Sequence, residues 1–272
     1  MGFTVNTNVG AMAALQSLSE TNRALATVQS RINTSKNVSS TKDDSAAFAI
    51  AQTLRGDLGG LKGVASSLNR AKSTVDVAVA GAEQISDLVN QMKAKAIEAS
   101  DVGLDAASRT SLAADFNGFK DQINTIIDSS EFNGTNLLKA AGGTVNALKS
   151  VETSVSTLDV ANQDFTAVVT AIGNAFTDAA TAKTMVTTLD SQATAINTKL
   201  STLGAAARKI EGQQIFISKL SDVIEGGVSN LVDADLAKES ARLQAMQVKQ
   251  QLGVQALSIA NQAPQTVLSL FR

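Results

Sequence analysis

Carboxylates are the side chains of this chain best suited to catalysis or metal binding, because its 272 residues include no His and no Cys. This composition excludes zinc fingers, haem or iron–sulfur centres held by His or Cys, and Ser–His–Asp or Cys–His nucleophile systems. Two acidic pairs remain as candidates, Asp43 with Asp44 and Asp233 with Asp235. Paired carboxylates can bind a divalent cation or act as general acid and base.

The positions of these acidic pairs favour capping over catalysis. Asp43 and Asp44 follow a polar stretch, Asp233 and Asp235 interrupt the longest apolar stripe, and each pair precedes an apolar repeat. A carboxylate at such a position accepts hydrogen bonds from the first N–H groups of a helix. We therefore predict no enzyme activity, no metal and no cofactor. A net charge of −2 and an aromatic content of 3% also argue against nucleic-acid binding, which uses basic surfaces and stacking rings.

Targeting signals are missing from the sequence as well. No Lys or Arg precedes Arg23, so the N-terminus lacks the basic region of a signal peptide. No apolar run approaches the roughly 18 residues that a membrane span needs. We predict no membrane span; if the protein leaves the cell, we predict that it does not use an ordinary cleaved signal.

The elements that would carry these side chains are predicted to be long helices, since the chain has a single Pro. Apolar residues recur at alternating spacings of four and three, the heptad pattern of coiled coils. In the first helix, Asn22 is interpreted as a polar residue that sets the register. The predicted stripe there is Ala11, Leu15, Leu18, Asn22, Leu25, Gln29 and Ile32.

Four further stripes follow along the chain. The stripe predicted for the second helix is Leu54, Leu58, Leu61, Ala65, Leu68, Lys72, Val75, Val79 and Ala82, followed after a small shift by Ile85, Val89 and Met92; the stripe of the third helix is Leu112, Phe116, Phe119, Ile123 and Ile126. The longest stripe runs from Leu189 to Leu231 and includes Ala193, Ile196, Leu200, Leu203 and Ile210. The stripe of the last helix is Leu236, Leu243, Met246 and Leu257, and Leu252 and Ile259 lie on another face of that helix. Gly56, Gly59, Gly60 and Gly63 indicate either a close helix approach or a hinge.

The middle of the chain differs in character. Residues 133–178 are rich in Gly, Thr and Ser, and the alternation in TSVSTLDV predicts strands, with a helix near 167–176. We therefore predict a mainly α fold: a long antiparallel helical bundle with coiled coils, a small β-hairpin region at about 138–180, and paired N- and C-terminal helices.

Several blocks, in order along both ends, carry a family resemblance. They are NTNVGAMAAL at the start, RINTSKNVSSTKDDSAAFAIA from Arg31 to Ala51, EFNGTNLL from Glu131 to Leu138, and then TLGAAARKIE, VDADLAKES and ANQAPQTVLSLFR. Together they make the chain resemble a bacterial flagellin. It would be a short form, because too few residues lie between Leu138 and Leu189 for variable outer domains.

The resemblance implies both an architecture and a function. Residues 1–43 and 232–272 would form an inner coiled-coil domain in the filament core, and residues 44–231 an outer helical bundle. The protein would be secreted and would self-polymerise into the extracellular flagellar filament used for swimming. Implied partners are other copies of itself, the flagellar export apparatus and its chaperone, and the filament cap and hook–filament junction proteins, with no nucleic acid and no membrane.

The terminal helices are the expected self-assembly interface. Their apolar faces exceed what a lone subunit can bury, so we predict that they are mobile in the monomer and fold on polymerisation. The predicted interface residues are Leu15, Leu18, Leu25, Ile32, Leu243, Leu252, Leu257 and Ile259.

Alternatives and departures complete the prediction. The alternatives are a chemoreceptor-like signalling coiled coil, which should carry a membrane anchor, and a hook–filament junction protein.

Where flagellins usually have Gly after the Arg31 block opens, this chain has Ser35. The segment QMKAKAIEA from Gln91 lacks the Arg-x-Arg-Glu pattern of flagellins that the vertebrate receptor recognises, so weak or no receptor activation is predicted. The match of Asn133-Gly134-Thr135 to the N-glycosylation pattern is interpreted as chance.

Overall fold

The computed structural model describes residues 7–151 and 157–269. Within those ranges the chain forms α1 (Val9–Thr34), α2 (Ser45–Ala99), α3 (Ala106–Ser129), β1 (Val145–Ala147), β2 (Leu158–Val160), α4 (Thr166–Ile172), α5 (Ala179–Val232) and α6 (Leu236–Ser269). The predicted mainly α fold with a small hairpin is confirmed. Of the strand prediction, residues 153–156 lie outside the described residues.

Polar side chains begin the helices as the sequence predicted. The Asp44 carboxylate accepts from the N–H groups of Ala46 and Ala47 at 3.0 Å each, and the Asp235 carboxylate accepts from Ala237 N–H at 3.0 Å. Each acidic pair thus contributes one helix cap, which satisfies N–H groups that have no partner within the helix.

The chain divides into two compact units, residues 1–56 with 223–272, and residues 57–222. We call them the terminal unit and the central unit. Helices α2 and α5 contribute residues to both units.

The central unit is built on two antiparallel helices. Lys93 pairs with Asp190, and Gln214 Nε2 donates to Asn69 Oδ1 at 2.8 Å, so the numbering rises along α2 as it falls along α5. Helix α3 folds back onto α2, where Arg109 Nε donates to the Ala99 carbonyl at 3.0 Å. Helices α3 and α5 therefore both run antiparallel to α2.

The α2 stripe of this bundle is one unbroken heptad repeat, without the predicted shift before Ile85. Its buried members are Leu61, Val64, Leu68, Ala71, Val75, Ala78, Ala82, Ile85, Val89, Met92, Ala96 and Ala99. Ala65, Lys72 and Val79, which the sequence favoured, are only half-buried. Val64, Ala71 and Ala78 take their places because each lies one residue around the helix, pointing at the bundle axis.

The other two helices show the same selection. On α5, Leu189, Ile196, Leu203, Ile210 and Ile217 are buried as predicted. On α3, Ile127 is buried in place of Ile126, while Phe119 is half-buried. Phe116 packs edge-on against Phe176, with ring centroids 5.5 Å apart.

The β region is fastened to the bundle by a buried amide. Strands β1 and β2 pair antiparallel with Val145 opposite Val160. Before them, Asn136 Nδ2 donates to the Ile127 carbonyl at 2.6 Å, and Asn136 Oδ1 accepts from Leu138 N–H at 2.9 Å. The side chain thus replaces several backbone partners where the chain leaves α3, as buried polar groups require.

The glycine-rich stretch of α2 contains one close approach. A Cβ on Gly60 would lie 2.5 Å from Val151 Cγ1, whereas no atom of the described residues lies within 4 Å of such a Cβ at Gly56, Gly59 or Gly63. The close-approach interpretation therefore holds at Gly60 alone.

Candidate assembly surface

The terminal unit pairs α1 with α6 in antiparallel orientation. Gln250 Nε2 donates to Asn22 Oδ1 at 2.8 Å, and Asn8 Nδ2 donates to the Ala260 carbonyl at 2.7 Å. A Cβ on Gly253 would lie 3.2 Å from the Leu18 Cδ1. The predicted pairing of the N- and C-terminal helices is therefore present within one chain.

Heptad positions from both helices line the contact, which we call the terminal seam. Its members are Ala11, Ala14, Leu18, Thr21, Leu25, Val28 and Ile32 on α1, and Glu239, Leu243, Met246, Gln250, Gly253, Leu257 and Ala260 on α6. Of these, Val28 and Glu239 are buried and the rest are half-buried. Two helices alone cannot cover both sides of such a stripe, so the seam stays partly open to solvent.

The predicted stripe of α1 needs a correction at every second position. Leu15, Asn22 and Gln29 are exposed, and the seam uses Ala14, Thr21 and Val28 instead. Both choices satisfy the spacing of three and four, and the larger Leu15 attracted the prediction. Asn22 still contributes to the register, through its hydrogen bond to Gln250 at the edge of the seam.

The eight predicted interface residues separate into two groups. Those in the terminal seam are Leu18, Leu25, Ile32, Leu243 and Leu257. Leu15, Leu252 and Ile259 point away from the seam, with exposed fractions of 58%, 58% and 69%. The first group packs within one chain, whereas the second is available to another chain.

Additional apolar residues enlarge the exposed group. Val9 and Met12 join Leu15 around a shallow apolar groove on α1, and Val248 and Val254 are exposed on α6. These four were not predicted, because the prediction followed the heptad stripes and took only Leu252 and Ile259 from outside them. All four are apolar residues outside the heptad stripe, and this feature could have identified them. A helix with a single buried face does not need apolar residues there.

An ion-pair cluster lies at the other end of the seam. The buried Glu239 accepts from Arg242 Nη1 at 3.0 Å, and its Oε1 is 3.6 Å from Arg31 Nη1. Its second oxygen, Oε2, has no hydrogen-bond partner among the described residues. The two arginines compensate the buried charge and connect α6 to the last turn of α1.

The segment between α1 and α2 is held by its own polar groups. The carboxylate of Asp43 accepts from the hydroxyl and N–H groups of Ser39 and Ser40 at 2.9–3.2 Å. These hydrogen bonds, led by the Ser39 hydroxyl, lower the pKa of Asp43 below its ordinary value of 3.8. Backbone hydrogen bonds join this segment to the end of α5 and to the residues between α5 and α6. Asn37 N–H donates to the Val232 carbonyl at 2.8 Å, and Ala234 N–H donates to the Ser35 carbonyl at 3.0 Å.

Ser35 ends α1 in an uncommon backbone conformation. Its φ is +57° in the left-handed region, and its N–H bonds to the Ile32 carbonyl. This is the position at which helices usually place Gly, since a Cβ is disfavoured there. Ser35, which stands where flagellins usually have Gly, therefore has a backbone conformation that favours Gly.

The described residues contain no cluster of three or more acidic side chains able to hold a metal ion. Among the helices at residues 9–269, none has a stretch long and apolar enough to cross a membrane.

The fold and the terminal helix pair define a mainly α-helical protein of the coiled-coil structural class. Residues 5–144 match the bacterial flagellin N-terminal helical region, and residues 186–271 match the bacterial flagellin C-terminal helical region. The chain belongs to the bacterial flagellin family. It is a structural subunit of the flagellar filament and not an enzyme.

Individual relatives agree with this family assignment. Flagellin FljK of Caulobacter vibrioides is 43% identical over 98% of each chain, and a flagellin of Brucella melitensis is 35% identical over 98% of each chain. The crystal structure of Bacillus cereus flagellin shares 25% identity and a TM-score of 0.51, covering 54% of this chain and 85% of that one. A putative flagellar hook-associated protein from Vibrio parahaemolyticus shares the fold at 13% identity, with a TM-score of 0.57 over 70% of this chain and all of that one.

Proposed function

We propose that this flagellin polymerises through the outward apolar faces of its paired terminal helices. The observation that carries the proposal is the exposure of Leu15, Leu252 and Ile259 beside a seam that is itself only half-buried. Large apolar side chains exposed together mark protein–protein contact sites. Leu18, Leu25, Ile32, Leu243 and Leu257 support the same interface by holding α1 and α6 together.

The two groups of residues have different roles in this proposal. The terminal seam sets the shape of the helix pair, and the outward group contacts neighbouring subunits. Residues 1–43 and 232–272 form the filament core, and residues 44–231 form the surrounding outer layer. Membership of the flagellin family supports the further proposal that the chain is exported through the flagellar apparatus with a chaperone and contacts the filament cap and hook–filament junction proteins.

The test is seeded polymerisation of purified full-length variants, followed by sedimentation and electron microscopy. Leu252→Asp and Ile259→Asp place a charge on the outward group, where the side chain is exposed in the subunit. We expect both to stop filament growth and to keep the helical circular dichroism of the parent chain. A charge buried in a subunit contact without a partner costs several kcal/mol.

Val102→Asp is the matched control. Val102 is 88% exposed and lies between α2 and α3 in the central unit. Like the two test variants, the control replaces an exposed aliphatic side chain with a carboxylate, and it should polymerise normally. Normal filaments from Leu252→Asp and Ile259→Asp would refute the assigned interface, and so would a polymerisation defect of equal size in Val102→Asp.

The segment from Gln91 bears on recognition by the vertebrate flagellin receptor. In the segment from Gln91, Lys95 pairs with Asp115 at 3.2 Å and Lys93 pairs with Asp190. We expect weak or no activation of the vertebrate flagellin receptor by endotoxin-free protein in a reporter cell. Strong activation in that assay would contradict the prediction.

A further inference from the structure

The sequence contains the same reactive tripeptide twice in different backbone settings. Phe116-Asn117-Gly118 lies within α3, and Phe132-Asn133-Gly134 lies in the turn that follows it. An acidic residue precedes each copy, Asp115 in one and Glu131 in the other. Both Asn-Gly pairs are exposed to solvent. The two copies therefore differ mainly in how the backbone around the Asn-Gly bond is held.

The helical copy is protected by its hydrogen bonds. Gly118 is in the interior of α3, where an N–H group donates to the carbonyl four residues earlier. Phe116 is fully buried and packs against Phe176. Freeing the Gly118 nitrogen requires part of α3 to open and this aromatic contact to loosen.

The turn copy has no such protection. Phe132 and Thr135 exchange N–H to carbonyl bonds at 3.0 and 3.1 Å across a two-residue turn. Asn133 and Gly134 at its tip both have positive φ, +50° and +79°. Neither the Asn133 side chain nor the Gly134 N–H has a hydrogen-bond partner among the described residues. Within residues 7–151 and 157–269, no atom lies within 4 Å of a Cβ placed on Gly134, so Gly134 can change conformation without displacing packed groups.

We propose that Asn133 is a site of spontaneous covalent modification, at which its side-chain amide is lost and an aspartate or isoaspartate is formed. The deprotonated Gly134 nitrogen attacks Asn133 Cγ and forms a five-membered succinimide. The Cγ–Nδ2 bond breaks, and Nδ2 takes up a proton from solvent and leaves as ammonia, which balances the proton that a solvent base removed from the Gly134 nitrogen. Solvent water then adds across one of the two imide C–N bonds, and no oxidant or reductant is needed.

The products change the turn in two ways. Either product adds a carboxylate next to the existing charge of Glu131 on an exposed surface. Isoaspartate also inserts a methylene group into the main chain, so Phe132 and Thr135 can no longer close the same two-residue turn. Asn136, whose amide fastens the β region to α3, is the next residue after Thr135. The modified turn therefore adjoins the anchor of the β region.

The test compares the two copies in the purified full-length chain. The protein is held at mildly alkaline pH and physiological temperature, and the amide loss at Asn117 and Asn133 is followed by peptide mapping and mass spectrometry. A parallel sample in urea measures both rates without structure. We expect Asn117 to react at least about tenfold more slowly than Asn133 in the folded chain, because helix opening limits it. In urea the two rates should converge.

Isoaspartate is measured separately by labelling with a protein isoaspartyl methyltransferase. Asn133→Gln should remove most of the label that the folded chain acquires, and the matched Asn117→Gln should leave it. Equal rates at the two asparagines in the folded chain would overturn the proposal. It would also be overturned if Asn133 kept its amide in the folded chain throughout the time in which it is converted in urea, or if Asn133→Gln kept its label.

Discussion

The central unit and the terminal unit use the same heptad spacing to different ends. In the central unit, Leu68, Val75, Ile196 and Leu203 are fully buried. In the terminal seam, the residues at equivalent spacing are mostly half-buried, and apolar side chains are exposed beside them. A repeat that has neighbours on several sides forms a core within one chain, whereas the same repeat in a two-helix pair leaves surface for other chains.

The largest expected effect tests this contrast by side-chain truncation. Leu203→Ala removes a fully buried side chain from the central unit and should lower the free energy of unfolding by about 2–5 kcal/mol. Leu243→Ala removes the same atoms from the half-buried terminal seam, and its cost should stay below about 1.5 kcal/mol. Urea unfolding of soluble subunits, followed by circular dichroism, measures both. Equal costs would mean that the terminal seam is as complete a core as the central one.

A smaller effect is expected where α1 ends. Ser35→Gly relieves a positive φ and should stabilise the end of α1 by about 0.5–1 kcal/mol. Hydrogen exchange of the α1 amides, read by mass spectrometry, should slow accordingly in the terminal unit and stay unchanged in the central unit.

Ser19→Gly provides the control for that substitution. Ser19 is exposed in the interior of α1. The same change at this position should speed exchange, because Gly costs about 0.5–1 kcal/mol relative to Ala in a helix interior. The same sign of effect at both positions would show that the backbone conformation of Ser35 is not the cause.

The smallest effect is an acid dependence shared by the two units. Hydrogen bonds from the Ser39 hydroxyl in the terminal unit, and from Ser108 and Thr181 in the central unit, lower the pKa of Asp43, Asp105 and Asp178 below 3.8. A lowered pKa in the folded chain means that the unfolded chain binds protons first on acidification. The stabilisation is therefore complete above pH 3.8 and is lost as the pH falls through the lower folded values.

Single Asp→Asn variants measured across that pH range distinguish the two units. Asp43→Asn should flatten the acid dependence of exchange in residues 39–43, and Asp105→Asn should flatten it at the start of α3. The changes should be modest because the groups are exposed and screened by salt. An unchanged acid response in both variants would show that these caps do not contribute to it.

Much of this protein was predictable from local sequence. The single Pro and the heptad spacing predicted long helices, and Asp44 and Asp235 begin helices as expected. The alternation in TSVSTLDV predicted strands in the middle of the chain, where β2 lies, and the helix predicted near 167–176 overlaps α4. The resemblance carried by blocks at both ends predicted the family. These features depend on residues close together in the chain, so they can be recognised without tertiary contacts.

Tertiary structure decided which neighbouring residue enters each buried stripe. Ala14 and Leu15, or Ala71 and Lys72, are separated by only about 100° around a helix, so both fit a spacing of three and four. The partner helix selects between them: Ala14 and Ala71 enter the contact, while Leu15 is exposed and Lys72 is half-buried. Likewise, the buried role of Asn136 and the contrast between Asn117 and Asn133 depend on where the chain turns. Sequence determined that the helices form, and packing determined which faces they bury and which they leave exposed.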